Sequence, residues 1–447
     1  MSSTTLRLIK ELAEIQRNPD RGIFISFDED NIMHARALII GPLETPYENG
    51  FFEFNMKFPR DYPSKPPQVN ALTTNKGRTR FNPNIYAGGR VCLSILGTWR
   101  GEAAEQWSSA QGIESVLISI QSLMSSTPFE NEPGYEPGSE RSERYKKSAE
   151  HYIQKIRHET IRISVLQRME EYLHVSPSSG KVMRNSATPD SSLTEEEQRA
   201  AALRHRINEP FEDLCKRHFL YYYHSYMRTI ARERESGSEY SIFETMPFEF
   251  SVNAMNGKFM YHDLERRMKA VREAMDQETA GWALAGAIPD AASEGFAASL
   301  RLWSDQIAQH LIQKYEGTVM LELIDDNPFC WRITYIGRPM TNLDGALFRF
   351  RMSFSIRFPD EQPRVVFETP IYHLNITPDG IPYYLPKKPD DPISHIESIL
   401  EVIENEELSP DPRTWMNLDA AELYFGTQAQ KREYRKAVRQ AVLRSAE

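Results

Sequence analysis

Phe52, Phe54, Met56 and Phe58 alternate with Glu53, Asn55 and Lys57, the period-two pattern of a half-buried antiparallel strand. The pattern runs straight into FPRDYPSKPP, which no central strand can contain because each proline lacks a backbone donor. Far along the chain Phe350, Met352, Phe354, Ile356 and Phe358 alternate in the same way and again end in Phe-Pro. Each copy follows the order helix, strands, irregular loop, helix, which is an internal repeat. The chain must therefore build one kind of α+β unit twice, the second copy being the degenerate one.

The first copy opens with an amphipathic helix whose apolar stripe is Leu6, Ile9, Leu12 and Ile15, with Arg7, Lys10 and Glu14 opposite. Asn18-Pro19-Asp20 ends it, and strands are expected near 22–27 and 32–40, with a turn at Gly41-Pro42. FNPNIYAGGR then delivers the chain to Cys92, and an insertion follows at 97–106. Ile113, Val116, Leu117, Ile120 and Met124 recur at helical spacing and mark a core helix, with further helices over 144–173. The Ser/Pro-rich stretch 176–197 is expected to be a mobile linker. Residues 198–235 and 259–277 have helical patterns, and the Ala/Gly-rich 279–298 is taken as a linker, with a weak helix as the alternative. In the second copy a helix at 299–315 leads into strands near 317–324 and 329–337. An HLNI turn, a helix striped by Ile393, Ile396, Ile399 and Ile403, and a C-terminal helix complete it. The expected organisation is thus 1–150, a helical extension 151–278, a linker 279–298 and a second domain 299–447.

Composition excludes several classes. No apolar run approaches the ~20 residues of a membrane helix, and MSSTTLRLIK lacks a signal-peptide core, so a cytoplasmic or nuclear protein is expected. Cys92, Cys215 and Cys330 are too few and scattered for a disulfide framework, and no Cys/His cluster suggests zinc or another metal. A net charge of −10 argues against a nucleic-acid partner. No Gly-rich phosphate loop is present, so no cofactor is expected and any ATP chemistry belongs to another protein.

A helix, then GPLETPYENGFFEFNMKFPRDYPSKPPQV, then NPN, then a cysteine resembles the ubiquitin-conjugating fold, an α+β domain whose four-stranded antiparallel meander is flanked by helices. FNPNIYAGGRVCLSILGTW, VLISIQSLM and NEPGYE look like the class Z ubiquitin-conjugating enzymes and the conjugating domain of the giant inhibitor-of-apoptosis hybrid ligase. KIRHETIRISV at 155–165 and the aromatic run Phe219 to Tyr223 are similar to the class Z helical tail. The resemblance implies a partnership with ubiquitin or a ubiquitin-like modifier, with an activating enzyme (for class Z, the second and less common one), with a ubiquitin ligase and with protein substrates.

It also implies the site. Cys92 would accept the modifier's C-terminal carboxyl as a thioester, for which a thiolate is a good nucleophile and a fair leaving group; an isolated cysteine is more often a small buried hydrophobe. Asn84 would donate to the oxyanion formed when a lysine attacks, or would brace the loop. Asn82 stands where the family usually has histidine and is expected to be structural, with Pro83 and Ser94 in the same active-site loop; Ser94 replaces a common aspartate. Glu132 is a candidate acidic gate for the incoming lysine, its alternative being a solvated surface carboxylate. Arg7 and Lys10 match activating-enzyme contacts. Tyr62, Pro63 and Ser64 match one ligase-contact loop, and Trp107 and Ser108 lie near the second. Ser64 stands where a bulky apolar residue is usual. Cys215 and Cys330 are taken as packing residues, and His151 and His158 are given no role.

The second copy resembles the same fold without its chemistry. His373 and Asn375 stand in the signature, and Tyr383 lies where the cysteine would be. Residues 417–438 resemble the C-terminal helices of ordinary conjugating enzymes, which the first copy lacks. Two rival readings are a non-catalytic modifier-binding scaffold and a hybrid that combines conjugation with ligase function.

Overall fold

The computed structural model describes residues 3–17, 21–27, 31–183, 209–249, 255–287 and 291–446. The chain divides into two compact units, Met1–Cys215 with Tyr226–Val271, and Lys216–Ser225 with Arg272–Glu447.

The first unit begins with α1 (Ser3–Arg17) and a meander of β1 (Ile23–Phe27), β2 (His34–Ile40), β3 (Phe51–Lys57) and β4 (Gln68–Ala71), antiparallel and in that spatial order. Helices α2 (Ile113–Leu123), α3 (Glu140–Arg144) and α4 (Lys146–Glu159) follow, and α4 runs through a π-helical stretch, Thr160–Gln167, into α5 (Arg168–Leu173). Helices α6 (Glu212–Glu235) and α7 (Tyr261–Ala287) give residues to both units. The second unit continues with α8 (Ala291–Lys314), a second antiparallel meander β5 (Val319–Leu323), β6 (Cys330–Ile336), β7 (Leu347–Ser353) and β8 (Arg364–Phe367), then α9 (Pro392–Glu404), α10 (Leu418–Phe425) and α11 (Gln428–Ser445). No described helix is long and apolar enough to cross a membrane.

The expected core helix is α2. Ile113, Val116, Leu117, Ile120 and Met124 are buried in one cluster with Phe52, Phe54 and Met56 of β3. The face of α1 departs from expectation: Leu6 is 56% and Ile9 41% exposed, whereas Leu8 is fully buried and Thr4 and Glu11 go inside with it. Polar contacts decide this rotation. Glu11 accepts from Tyr62 Oη at 2.7 Å, from the Ile113 amide at 2.9 Å and from Arg7 Nε, so one buried carboxylate joins α1, the proline loop and α2.

The outer face of β3 also departs from the half-buried pattern, because Glu53 is only 3% exposed. Arg36 and Arg168 pair with it, the latter at 2.6 Å from the start of α5. The extension thus covers this end of the sheet, and a Cβ on Gly50 would sit 2.6 Å from Ser164 and Thr160 atoms of the π-helical stretch. Farther along, Met246, Phe248 and Met255 enter the first unit's core. Lys155 pairs with Glu249 at 2.9 Å, both side chains 1% exposed. His151 and His158 have partners after all: His151 pairs with Glu244, and His158 Nε2 accepts from the Met260 amide at 3.1 Å.

The stretch 279–298 is not a linker where it is described. It forms the end of α7 and the start of α8, as its alanines favour. Of the expected linker 176–197, residues from 184 onward lie outside the described residues, as do 198–208.

In the second unit β7 keeps its alternation, with Phe348, Phe350 and Met352 buried between exposed Arg349 and Arg351. The strand ends at Ser353, and Ile356, expected to continue the buried stripe, is 43% exposed. Gly337 repeats the role of Gly41: a Cβ on either would meet a backbone oxygen, of Leu343 or Tyr47, at 1.7 Å. His373 is buried, its Nδ1 accepting from the Asn375 amide at 3.1 Å. Burial lowers its imidazole from 6.5 to about 4. The unfolded chain therefore takes up this proton first, and the stabilisation present above pH ~6.5 is lost as pH falls toward the folded value, by about 3 kcal/mol in full. Urea unfolding of the second unit's transition at pH 7 and pH 4.5 should show that loss in the wild type and a smaller one in His373→Asn; equal pH slopes would contradict it.

Candidate active site

The site is assembled by a loop that returns to β4. The Ala71 amide donates to Gly89 O at 2.7 Å, and Asn70 bridges Arg90. Gly89 has φ +89°, and a Cβ there would lie 2.7 Å from Ala71 O, so only glycine fits the approach. Gly89 N donates to Tyr86 O and Tyr86 N to Arg90 O, each at 2.9 Å, closing a turn that sets Ile85 beside Val91. The Cys92 amide then donates to Asn84 O at 2.9 Å.

Asn82 is the anchor of this loop. It is fully buried, its Nδ2 donating to Leu123 O at 2.8 Å and to Tyr47 Oη at 3.0 Å, its Oδ1 accepting from the Asn84 amide at 2.9 Å. Tyr47 passes its own proton to Phe81 O at 2.7 Å. Buried Pro83 follows, and Asn84 Nδ2 donates to Cys92 O at 2.9 Å. An amide carries two hydrogens, so the loop-bracing bond engages one and leaves the other for a second acceptor.

Beyond Cys92, Thr98 Oγ1 donates to Val91 O at 2.7 Å and accepts from the Leu93 amide at 3.0 Å. Ser94 begins a short 3₁₀ turn, Ser94–Leu96, and its hydroxyl lies 3.3 Å from Glu105 Oε2. The expected insertion at 97–106 thus folds back on the chain just after the cysteine. Cys92 itself is 4% exposed. Burial pushes the Cys215 thiol up to about 12 and raises Cys330 as well, which disfavours the thiolate at both. No group of residues suited to hold a metal occurs among those described.

Glu132 is half-buried beside a cation. Its side chain is 24% exposed and lies 3.4 Å from Arg80 Nη2. Burial raises its carboxyl above the ordinary range, and the Arg80 charge pulls the other way. Three residues of this site went unassigned in the sequence: Tyr47, Arg80 and Thr98. Their only signals were proximity to motifs, Tyr47 after the Gly-Pro turn, Arg80 just before Asn-Pro-Asn and Thr98 in GTW.

The expected partner contacts are unevenly displayed. Lys10 is exposed, with Glu14 3.9 Å away, while Arg7 is tied to Glu11 and donates to Gln111 O at 3.2 Å. Tyr62, expected at a ligase contact, is only 2% exposed because its hydroxyl serves Glu11. Pro63 is half-buried, its carbonyl accepting from Trp107 Nε1 at 2.8 Å, and Ser64 and Ser108 are exposed.

The second unit repeats the loop without the thiol. Phe367 N donates to Gly380 O at 2.8 Å, Gly380 has φ +90°, and the Tyr383 amide donates to Asn375 O at 2.8 Å, as Cys92 does to Asn84. Asn375 Nδ2 turns to Thr414 O at 2.7 Å.

The model of the family described as "Ubiquitin-conjugating enzyme" matches residues 7–160 and again 304–442. The chain belongs to the ubiquitin-conjugating enzyme family. "Ubiquitin-conjugating enzyme E2 Z" of Homo sapiens is 49% identical over 165 residues, 37% of this chain and 44% of that protein. Its Xenopus tropicalis counterpart is 45% identical over 181 residues, 40% of this chain and 55% of the relative. "Dual E2 ubiquitin-conjugating enzyme/E3 ubiquitin-protein ligase BIRC6" of Homo sapiens is 44% identical over 149 residues, 33% of this chain and 3% of that one. The chain spans about half the length of the E2 Z relatives it matches. Both repeats are thus ubiquitin-conjugating domains by family, and only the first carries a cysteine at the loop position.

Because Asn82 Oδ1 accepts from the Asn84 amide, while Leu123 O keeps a second donor in Asn131 Nδ2 and the Tyr47 hydroxyl keeps Phe81 O, Asn82→Ala should destabilise the first unit by about 1–3 kcal/mol, the cost of one orphaned buried group. Thermal or denaturant unfolding checks this, and a change below ~0.5 kcal/mol would show that the loop is held otherwise.

Proposed function

We propose that the chain carries ubiquitin or a ubiquitin-like modifier as a thioester on Cys92 and transfers it to a lysine or to a ligase. The observation that carries this reading is the position of Cys92, its amide bonded to Asn84 O beyond a loop braced by Asn82. In the loading step the Cys92 thiolate attacks the carbonyl of the activating enzyme's thioester, and that enzyme's thiolate leaves. In the transfer step an unprotonated amine attacks the Cys92 thioester, an isopeptide bond forms, Cys92 Sγ leaves as thiolate, and the amine gives up one proton. The uncommitted hydrogen of Asn84 Nδ2 is the donor for the intermediate oxyanion, and Glu132 the carboxylate beside the entering amine.

No cofactor is required, since the activating enzyme uses the ATP. By the class Z resemblance the loading partner is the second, less common activating enzyme, with Lys10 and the exposed edge of α1 as its contact and Pro63, Ser64, Trp107 and Ser108 as the ligase side. Protein substrates, a cytoplasmic or nuclear location and the absence of membrane or nucleic-acid partners complete the reading. The second unit serves it as a binding module.

Charging with ATP, each ubiquitin-activating enzyme and a panel of modifiers, on non-reducing gels, tests it. A reductant-sensitive adduct should form in the wild type, Cys215→Ala and Cys330→Ala, and vanish in Cys92→Ala. No adduct from folded protein with any combination would overturn the proposal. Once charged, Asn84→Ala should discharge to free lysine ~10²–10³-fold more slowly while still loading, whereas loss of a brace alone would slow loading and discharge alike.

A further inference from the structure

The side chain of Arg80 joins two parts of the site that the sequence holds far apart. It is 5% exposed, and its Nη2 donates to Pro83 O at 2.5 Å and lies 3.4 Å from Glu132 Oε2. Its guanidinium lies 4.4 Å over the Tyr86 ring and 5.8 Å from that of Phe248. Phe248 comes from the extension and packs on Phe129, whose ring is 5.2 Å away, three residues before Glu132. The carbonyl that Arg80 grips belongs to the residue between Asn82 and Asn84. Arg80 Nε is buried without a hydrogen-bond partner, a desolvation cost that a methionine of similar length would avoid.

We propose that Arg80 is a positioning residue for transfer from Cys92, fixing the Glu132 carboxylate at a set distance from the Asn84–Cys92 loop by holding Pro83 O and Glu132 with one planar group. This rests on the reading of Cys92 and Glu132 given above. Both contacts are made by Nη2, whose hydrogens are fixed in the guanidinium plane, whereas an ammonium rotates on a flexible stem, so lysine can keep the charge near Glu132 without keeping the geometry. Arg80 is also the cation that opposes the effect of burial on Glu132. The phenols of Tyr135 and Tyr152, which sense the Glu132 charge, are both raised by burial and stay neutral at assay pH. Removing the Arg80 charge therefore lets Glu132 take up its proton at higher pH. The seat for the guanidinium is partly built by Phe248, so the extension reaches the transfer step through this contact.

The experiment uses the full chain, charged with ubiquitin and discharged to free lysine in single turnover between pH 6 and 9. Arg80→Met and Arg80→Lys should charge at rates within about twofold of wild type and discharge roughly tenfold or more slowly, as expected when a reacting group is misplaced by a fraction of an ångström to 1 Å. The acid limb of the discharge profile should move to higher pH in Arg80→Met and return toward wild type in Arg80→Lys, whose rate stays low. In a Glu132→Gln background Arg80→Met should add little further loss. Unchanged discharge in both Arg80 variants, or losses that simply multiply with Glu132→Gln, would overturn the proposal. A wild type that never charges would instead remove the function on which it rests.

Discussion

The loop that bears Cys92 is held by one buried amide. Asn82 has no contact with solvent, and its side chain bonds the end of α2, the Tyr47 hydroxyl, the Asn84 amide and, at 3.4 Å, Asn131 Nδ2. An irregular loop carries backbone donors and acceptors that no sheet ladder satisfies, and here a side chain supplies the missing partners. With Asn84 fixed, its carbonyl takes the Cys92 amide and its side chain takes the Cys92 carbonyl. The cysteine is thus oriented from both sides by a residue that is itself oriented by Asn82.

The extension is part of the first unit's interior and not an appendage to it. Phe248 packs with Phe129, Tyr135 and Tyr152, and the buried Lys155–Glu249 pair closes the same region. Glu53 is enclosed between Arg36 and Arg168. Buried ion pairs of this kind add little net stability over apolar packing, but a lone member left behind is strongly unfavourable.

The second unit keeps the frame of the loop with no cysteine at its end. The glycine at the loop return, the backbone bond from the signature asparagine and the buried signature residue are all present, with Gly380, Asn375 and His373 standing for Gly89, Asn84 and Asn82. These satisfy the loop backbone in both units. The thiol meets no such need, and Tyr383 occupies its place. The signature asparagine's side chain turns instead to Thr414 O, just before α10 and α11.

The repeat, the strands of alternating Phe and Met and the α2 core stripe were legible in the sequence, because a period of two or 3.6 residues follows from backbone geometry alone. Cys92, Asn84 and Tyr383 were legible through the family resemblance, which ties residue types to a motif of short fixed spacing. Only the tertiary structure decided that Leu8 and Glu11 go inside while Leu6 and Ile9 stay out, that Glu53 is covered, that Tyr62 faces inward, and that Arg80 meets Glu132. In each case the deciding partner lies far along the chain, such as Ile113 for Glu11, Arg168 for Glu53 and Phe248 beside Arg80. A buried charge takes its place from whichever partner satisfies it, and no periodicity within one element records which distant residue that will be.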